Sequence, residues 1–320
     1  MCNLQTLTVM ETSSQIYVNP LTDAGFKALL CDPANKRDLI ALLNAFLPAW
    51  RRVSDLEYAT TEMPGVTLSN KASRVDLRCT GAEGEEFIVE VQRSPQPHFF
   101  RRCVYYASRI YALGSERGDR QRYDLPPVYL LALTDRDFGF DRSGAEWSGR
   151  YTSVYSFRES RSGQEEEETI SIIFVELYRF GKASYGECGT DEERWCWTLK
   201  NMWRMSRTDG GELMLPELEH LLESGMIAGF SKEKRAKYDA DMITERDMYN
   251  ILETAREEGR KDGLAKGREA GLVEGEAKGR EAGFAEGKAE VARNMLASGM
   301  PDEQVMAMTG LTAGQLAALK

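Results

Sequence analysis

Two acidic residues and a glutamine, Asp76, Glu90 and Gln92, are spaced so that a β-hairpin would bring them together. Asp76 lies seven residues before Glu83 and Glu90 lies seven after it, with the turn-forming run Gly-Ala-Glu-Gly-Glu at 81–85 between them. Such a turn makes Asp76 and Glu90 cross-strand neighbours, and the two-residue period of a strand places Glu90 and Gln92 on the same side. Because like charges opposite each other destabilise a sheet, the pair predicts a bound cation.

The chemistry of such a pair is that of an open magnesium site, in which two carboxylates and water molecules hold the ion. The bound ion lowers the pKa of its water and stabilises charge on a phosphate. The chain has only two histidines, His98 and His220, and its six cysteines form no C-x-x-C pair, so a zinc centre is not expected. The predicted cofactor is Mg²⁺, with Mn²⁺ as its substitute. On spacing alone, a surface hairpin carrying ordinary acids remains an alternative.

A basic segment follows the hairpin inside an acidic chain of net charge −10. Between residues 93 and 122 there are seven arginines and two acids, which gives 7 − 2 = +5. A positive patch of this kind suits a polyanion, although a solvated surface gives the same composition. No apolar run approaches the ~18 residues of a membrane span, and the first residues lack the pattern of a secretory signal. We therefore expect a cytoplasmic protein with reduced thiols and no membrane partner.

The elements that must position these residues alternate between strands and helices. Residues 72–80 and 86–92 predict the hairpin, with Val75, Leu77 and Cys79 on one face of its first strand. Two further apolar strands are predicted at 128–133 and 170–177. Helices are predicted at 21–30, 36–46, 99–113, 192–206, 213–222 and 232–257. This order indicates a mixed α/β domain over residues 16–250, after a leader at 1–15.

The next segment, residues 251–290, is charged and has a glycine at every fourth position from Gly259 to Gly287. A flexible linker is one interpretation, because each glycine inside a helix costs ~1 kcal/mol relative to alanine. The residues between the glycines are strong helix formers, however, and a strict period has no purpose in a random coil. We predict a helix whose glycine stripe lets a partner backbone approach closely, so the tail is expected to form a homo-oligomer.

The last segment, residues 291–320, predicts a small helical cap. Its run MPDEQVMAMTGLTAGQL resembles a helix-turn-helix. From Met300 to Leu319 there are two acids and no Lys or Arg, whereas a protein that binds duplex DNA needs cations to displace the counterions of the phosphates. The composition therefore favours a cap for protein interaction over a DNA-reading module.

A longer series of motifs carries a resemblance to a known family. The order Asp76…Glu90-Val91-Gln92 resembles the PD-(D/E)xK nuclease core, in which a metal-binding Asp precedes an E-x-K on the next strand. LTDAGFK (21–27) lies upstream, and FFRRCVYYASRIY (99–111), LPPVYLLAL (125–133) and IIFVEL (172–177) follow in order. Over residues 17–250 these motifs are similar to the Rpn family of recombination-promoting nucleases, also called PD-(D/E)xK transposase-like proteins. The glycine-spaced tail resembles the tails of that family.

The resemblance implies a restriction-endonuclease-like mixed sheet flanked by helices and a Mg²⁺-dependent DNA endonuclease linked to recombination or transposition. Asp76 and Glu90 match the metal ligands, with the Val91 carbonyl as a third, and Gln92 matches the position that orients the attacking water. Asp23 and Lys27 match the D-x-x-F-K segment, and Arg102 and Tyr106 match the R-x-x-x-Y of the following helix. The basic segment would hold DNA phosphates without base specificity, so Arg93, Arg101, Arg102, Tyr106 and Arg109 are the predicted DNA-binding residues.

The sequence departs from the family pattern at Gln92, where Lys is usual. Glutamine carries no charge, so it cannot stabilise a developing anion as an ammonium would. We hypothesise that Lys27 or Arg102 supplies the positive charge. The alternative for Lys27 is an i, i+4 salt bridge with Asp23, and the alternative for Arg102 is a structural i, i+4 pair with Tyr106.

Two other functions stay open at this point. One is a catalytically inactive, transposase-derived protein that binds DNA or forms an oligomeric scaffold. The other is a regulatory interaction protein that acts through its tail.

Overall fold

The predicted strands form the centre of a mixed sheet in a computed structural model that describes residues 15–63, 73–93, 96–114, 124–206 and 215–319. The strands are β1 (Leu56–Tyr58), β2 (Glu62–Met63), β3 (Ser73–Arg74), β4 (Leu77–Gly81), β5 (Glu86–Gln92), β6 (Val128–Thr134), β7 (Thr152–Tyr155) and β8 (Ile170–Glu176). The helices are α1 (Asp23–Leu30), α2 (Lys36–Phe46), α3 (Phe99–Leu113), α4 (Asp191–Asn201), α5 (Pro216–Ser224), α6 (Lys232–Ala297), α7 (Asp302–Thr309) and α8 (Ala313–Ala317).

Six of the strands form one sheet in the order β1-β4-β5-β6-β8-β7, and β2 pairs with β3 in a separate two-stranded ribbon. β4 and β5 are the antiparallel hairpin, whereas β5, β6 and β8 run parallel to one another. All residues of β6 and β8 are buried, which explains their continuous apolar runs, because parallel strands are covered on both faces. The predicted mixed sheet flanked by helices is confirmed.

Apolar side chains cover both faces of this sheet. On one face, α1, α2, α4 and α5 pack over Leu77, Val89 and Val175. On the other face, α3 packs through Phe99, Cys103, Ala107 and Ile110 over the centres of β5, β6 and β8. The helix α3 connects β5 to β6, so the chain leaves the end of β5 and returns across this face before it enters the next parallel strand.

The predicted alternation of residues 72–80 is wrong at one position. Leu77 and Cys79 lie in the core beneath α1 and α2, as predicted, but Val75 lies in the core beneath α3. The chain bends at Asp76, between the short strands β3 and β4, and this bend reverses which face the preceding residues meet. The short strands β1, β2 and β7 were not predicted, since runs of two to four residues carry too little periodicity.

The chain divides into two compact units, Met1–Thr244 and Glu245–Lys320. The second unit contains the glycine repeat, whose eight glycines from Gly259 to Gly287 all lie within α6, so the predicted helical tail is confirmed. A methyl group added at any of these glycines would meet no atom within 4 Å. At the end of the chain, Ala292, Val305 and Leu316 form a small core that joins the end of α6 to α7 and α8.

Several predictions fall on residues that the structure does not describe. They include the leader, apart from Gln15, and the arginines 117, 120 and 122 of the basic segment. All five cysteines in the described residues are free thiols, and none of the described helices is long and apolar enough to cross a membrane.

Candidate active site

Asp76 and Glu90 lie side by side at one end of the hairpin. Leu77 pairs with Val89, so the same register sets Asp76 opposite Glu90, as the sequence predicts. The Asp76 backbone N–H donates to Glu90 Oε1 at 3.1 Å, and the Val91 backbone N–H donates to Asp76 Oδ2 at 2.9 Å. Each carboxylate is therefore fixed at one of its oxygens. The backbone of Asp76 holds Glu90, and the backbone of Val91, which follows Glu90, holds Asp76.

The bend at Asp76 makes this exchange possible. β4 begins only at Leu77, so the backbone N–H of Asp76 is not required by the strand ladder and turns to Glu90. The Sγ atom of Cys31, from the end of α1, donates to the Asp76 carbonyl at 3.8 Å. Three groups of Asp76 are thus held in place. β5 binds its side chain and its backbone N–H, and the end of α1 binds its carbonyl.

Burial makes the two carboxylates costly to ionise together. Only 3% of Glu90 is exposed, and desolvation, followed by the Asp76 charge, raises the pKa of Glu90 to about 8. Desolvation also raises the pKa of Asp76, although the Val91 N–H opposes this shift. A divalent cation between the carboxylates would offset both desolvation and mutual repulsion, so the pair has the electrostatics of a cation site.

The donor atoms present fit Mg²⁺ or Mn²⁺. Within the described part of the chain, Asp76 Oδ1 and Glu90 Oε2 accept no hydrogen bond from the backbone, so one oxygen of each carboxylate is available. In a strand the N–H and C=O of one residue point to the same side, so the Val91 carbonyl faces Asp76 as its N–H does. Hard oxygen ligands of this kind, completed by water, suit these ions. No cluster of three His, Cys, Asp or Glu side chains that could hold a metal occurs among the described residues.

Gln92 is held by an arginine from the neighbouring helix. The guanidinium of Arg102, on the first turn of α3, donates from Nη2 to Gln92 Oε1 at 2.8 Å, and the same nitrogen lies 3.8 Å from Glu90 Oε2. Another nitrogen, Nη1, donates to Gln96 Oε1, and the guanidinium carbon lies 4.8 Å from the centre of the Phe99 ring. Arg102 therefore places a positive charge beside the position at which the family pattern has lysine.

Asp23 and Lys27 form an ion pair on the first helix. Their closest atoms, Lys27 Nζ and Asp23 Oδ1, are 2.5 Å apart, and both side chains are partly exposed. They still reach the site electrostatically, because the Asp23 charge raises and the Lys27 charge lowers the pKa of Asp76. Thr22 caps α1 by accepting from the Gly25 N–H, and Asp241 Oδ2 accepts from the Ala24 N–H at 2.9 Å.

Comparison with protein families agrees with this geometry. Residues 20–255 match the family described as PD-(D/E)XK nuclease family transposase. The chain belongs to this family. Residues 285–320 match the C-terminal HTH domain of the Rpn/YhgA-like nuclease family. No curated protein and no solved structure gives a significant match to the chain.

The second match changes the interpretation of the last segment. Composition favoured a cap for protein interaction, whereas the comparison assigns these residues to an HTH domain of the same nuclease family. The structure has the matching local elements: α7 is followed directly by Gly310, which has φ +69°, and Thr312 caps α8 by accepting from the Gln315 N–H. Because the segment lacks basic residues, its composition gave the helix-turn-helix pattern too little weight.

The other residues predicted for this PD-(D/E)XK protein occupy different places. Tyr106 lies one turn after Arg102, whose guanidinium carbon is 5.9 Å from the centre of its ring, and burial, followed by the Glu90 charge, raises the pKa of Tyr106. Arg93 Nε lies 3.8 Å from Asp135 Oδ2. Arg101 is exposed near the start of α3, and Arg109 donates to the Tyr105 hydroxyl at 3.2 Å. Among the described contacts, the predicted DNA-binding residue with an ion pair to the carboxylate pair is Arg102.

Two contacts of the site were not predicted. Gln96 anchors Arg102 but lies between two prolines, in a segment without periodicity. Asp241 supports the start of α1 from a position 217 residues away along the chain. No local sequence signal marks either contact, because each depends on how separate elements pack.

Proposed function

We propose that the protein is a metal-dependent DNA endonuclease of low sequence specificity that acts in recombination or transposition in the cytoplasm. The observation that supports this most is the reciprocal bonding of Asp76 and Glu90, in which each carboxylate uses one oxygen and keeps the other available. Family membership supports the nuclease class.

In this proposal, Asp76, Glu90 and the Val91 carbonyl hold Mg²⁺ or Mn²⁺. A bound ion of this type supplies a water of lowered pKa and positive charge for the phosphate. Glu90 must lose its proton to serve as a ligand, and since its pKa is about 8, cation binding near neutral pH releases a proton from the pair. Gln92, oriented by Arg102, positions the attacking water.

Arg102 supplies the charge that Gln92 lacks. Its Nη2 lies 3.8 Å from Glu90 Oε2, so the guanidinium charge is close enough to the carboxylate pair to act on a phosphate bound there. Lys27 acts at longer range, because its ammonium is paired with Asp23. Of the two candidates that the sequence left open, Arg102 is therefore the one that we assign to transition-state charge.

DNA would be held by Arg93, Arg101 and Arg109 around this centre. Contacts from arginine to phosphate position the backbone without reading bases, so cleavage is expected at many sequences. Binding should also weaken steeply with salt, because each neutralised phosphate releases counterions.

Plasmid nicking tests the proposal directly. Supercoiled DNA should be converted to open-circular or linear forms with Mg²⁺ and remain intact with EDTA. Asp76→Asn and Glu90→Gln should each abolish conversion, whereas Glu57→Gln, at an exposed residue of β1, should not change it. Equal conversion by Asp76→Asn and the unmodified protein would refute the assignment.

A catalytically inactive DNA-binding or oligomeric scaffold is the second candidate. The neutral Gln92 at the lysine position favours it, as does the lack, among the described residues, of a cluster of three His, Cys, Asp or Glu side chains that could hold a metal. DNA binding without any metal-dependent conversion would support the scaffold. In either case we propose that α6 mediates self-association through its open glycine stripe.

A further inference from the structure

A recess lined mainly by aromatic rings lies next to the candidate active site. Its volume is about 410 Å³, and its walls include Gln96, His98, Phe99, Phe100, Phe138 and Phe140. This volume is within the range of about 300–1,000 Å³ that holds small organic ligands. The carboxylate pair is not part of these walls, and the mechanism above does not use the recess.

Arg102 joins the recess to the catalytic centre. Its guanidinium bonds to Gln96 and lies over the Phe99 ring, both of which are recess walls, while its Nη2 bonds to Gln92 in the catalytic centre. A ligand in the recess would therefore lie one side chain away from the phosphate at Asp76 and Glu90.

The aromatic walls are held in fixed positions. The Phe138 ring lies 5.1 Å from that of Phe99, and the Phe140 ring lies 5.3 Å from that of Phe174 in the sheet. Between them, Gly139 adopts φ +74° and its N–H donates to Asp137 Oδ1, which forms a tight turn. His98 is the one residue other than glycine with positive φ in the described chain, at +64°, and its imidazole is exposed at the recess.

We propose that this recess binds an unstacked nucleobase of the DNA strand whose phosphate lies at Asp76 and Glu90. A base offers a flat π-face to the rings, and the phosphates of its strand complement the exposed Arg101, which also lines the recess. Bases inside a duplex cannot reach such rings, so the substrate strand is single-stranded or has an extruded base here. The inference rests on the proposed function for the identity of the polymer, but it concerns binding rather than cleavage.

The test compares affinities of the full-length protein for a fluorescent single strand and for the matched blunt duplex, in EDTA so that no cleavage occurs. The double substitution Phe138→Leu/Phe140→Leu keeps apolar volume but removes the π-faces. Since stacking on one aromatic is worth about 1–3 kcal/mol, we expect about 5- to 150-fold weaker binding of the single strand and little change for the duplex. Phe157→Leu, at an exposed phenylalanine outside the recess, should bind like the unmodified protein.

A second variant guards against misfolding of the first. His98→Gly suits the positive φ, so it preserves or raises the melting temperature while it removes one wall of the recess. It should also reduce the quenching of 2-aminopurine in the bound single strand. Unchanged single-strand affinity and quenching in both variants would mean that no base enters, and would overturn the inference, as would an equal loss for duplex and single strand. If the unmodified protein preferred single strands but did not nick DNA, the proposed nuclease activity would be wrong, whereas the proposed binding of a base in the recess would still hold.

Discussion

Nη2 of Arg102 lies 2.8 Å from Oε1 of Gln92 and 3.8 Å from Oε2 of Glu90. The positive charge at this site therefore comes from helix α3, whereas in the family pattern it comes from the strand that carries the second carboxylate. The positive charge thus stays near the carboxylate pair, but a residue of α3 carries it instead of a residue of β5.

Exchange of the two side chains tests this relationship. Arg102→Gln should lower the nicking rate about 10²-fold, because removal of one group that stabilises charge in a transition state has an effect of that order. Adding Gln92→Lys to Arg102→Gln should restore part of the rate, whereas Gln92→Lys alone should not increase it, since the ammonium would then face the guanidinium. Arg101→Gln is the matched control and should reduce DNA affinity rather than the rate at saturation. Full activity of Arg102→Gln would disprove the charge assignment.

Metal binding should be visible without DNA. A ligand that binds only the folded state at 100 times its Kd stabilises that state by about 2.7 kcal/mol. Mg²⁺ or Mn²⁺ should therefore raise the melting temperature of the unmodified protein, and Asp76→Asn should remove most of that increase. Lys27→Ala should retain it, because Lys27 is paired with Asp23 and provides no ligand. If the ions raised the melting temperature of Asp76→Asn equally, they would bind elsewhere.

The stability of the metal-free protein should decrease as pH rises. The pKa of Glu90 is about 8 in the folded protein against 4.5 ordinarily, so between these values the unfolded chain releases a proton that the folded protein retains. Below pH 4.5 this carboxyl is protonated in both states, so it reduces the free energy of unfolding least there. Its contribution to that free energy falls as pH rises to about 8. The total loss should be of the order of a few kcal/mol.

Urea denaturation of Glu90→Gln in EDTA provides the comparison. Because glutamine does not titrate, the variant should gain stability relative to the unmodified protein as pH rises from about 5 to 8, while the contributions of groups that do not interact with Glu90 are the same in both proteins. Parallel pH profiles would show that Glu90 ionises normally when folded.

Sequence patterns predict the parts of this protein that depend on local periodicity. The hairpin register that sets Asp76 opposite Glu90, the strand β5 and the helix α3 all follow from alternation or helical spacing over several residues. The bend at Asp76 and the contact of Arg102 with Gln92 do not, because they depend on packing between elements. The pKa of Glu90 likewise depends on its burial in the folded protein and on the Asp76 charge, which no spacing in the sequence expresses.

The glycine stripe of α6 allows a test of self-association with little disturbance of the single chain. A methyl group at Gly267 or Gly271 meets nothing within 4 Å, so Gly267→Ala/Gly271→Ala should stabilise the helix by about 1 kcal/mol per site. If a partner backbone packs against the stripe, the same change should weaken self-association, measured by sedimentation velocity. Glu269→Ala, on the same helix outside the stripe, is the control. Unaltered association of the double variant would exclude the stripe as the contact surface.

Asp76 is also the residue at which the chain passes from one sheet to another. β3 pairs with β2 in the ribbon, and after a bend of two residues β4 enters the main sheet. The proposed metal site therefore has one carboxylate at the junction between the ribbon and the main sheet, and the other, Glu90, within β5 of the main sheet. Because Val91 and Cys31 hold Asp76 at this junction, a cation bound by the two carboxylates would connect the end of the ribbon to the central sheet.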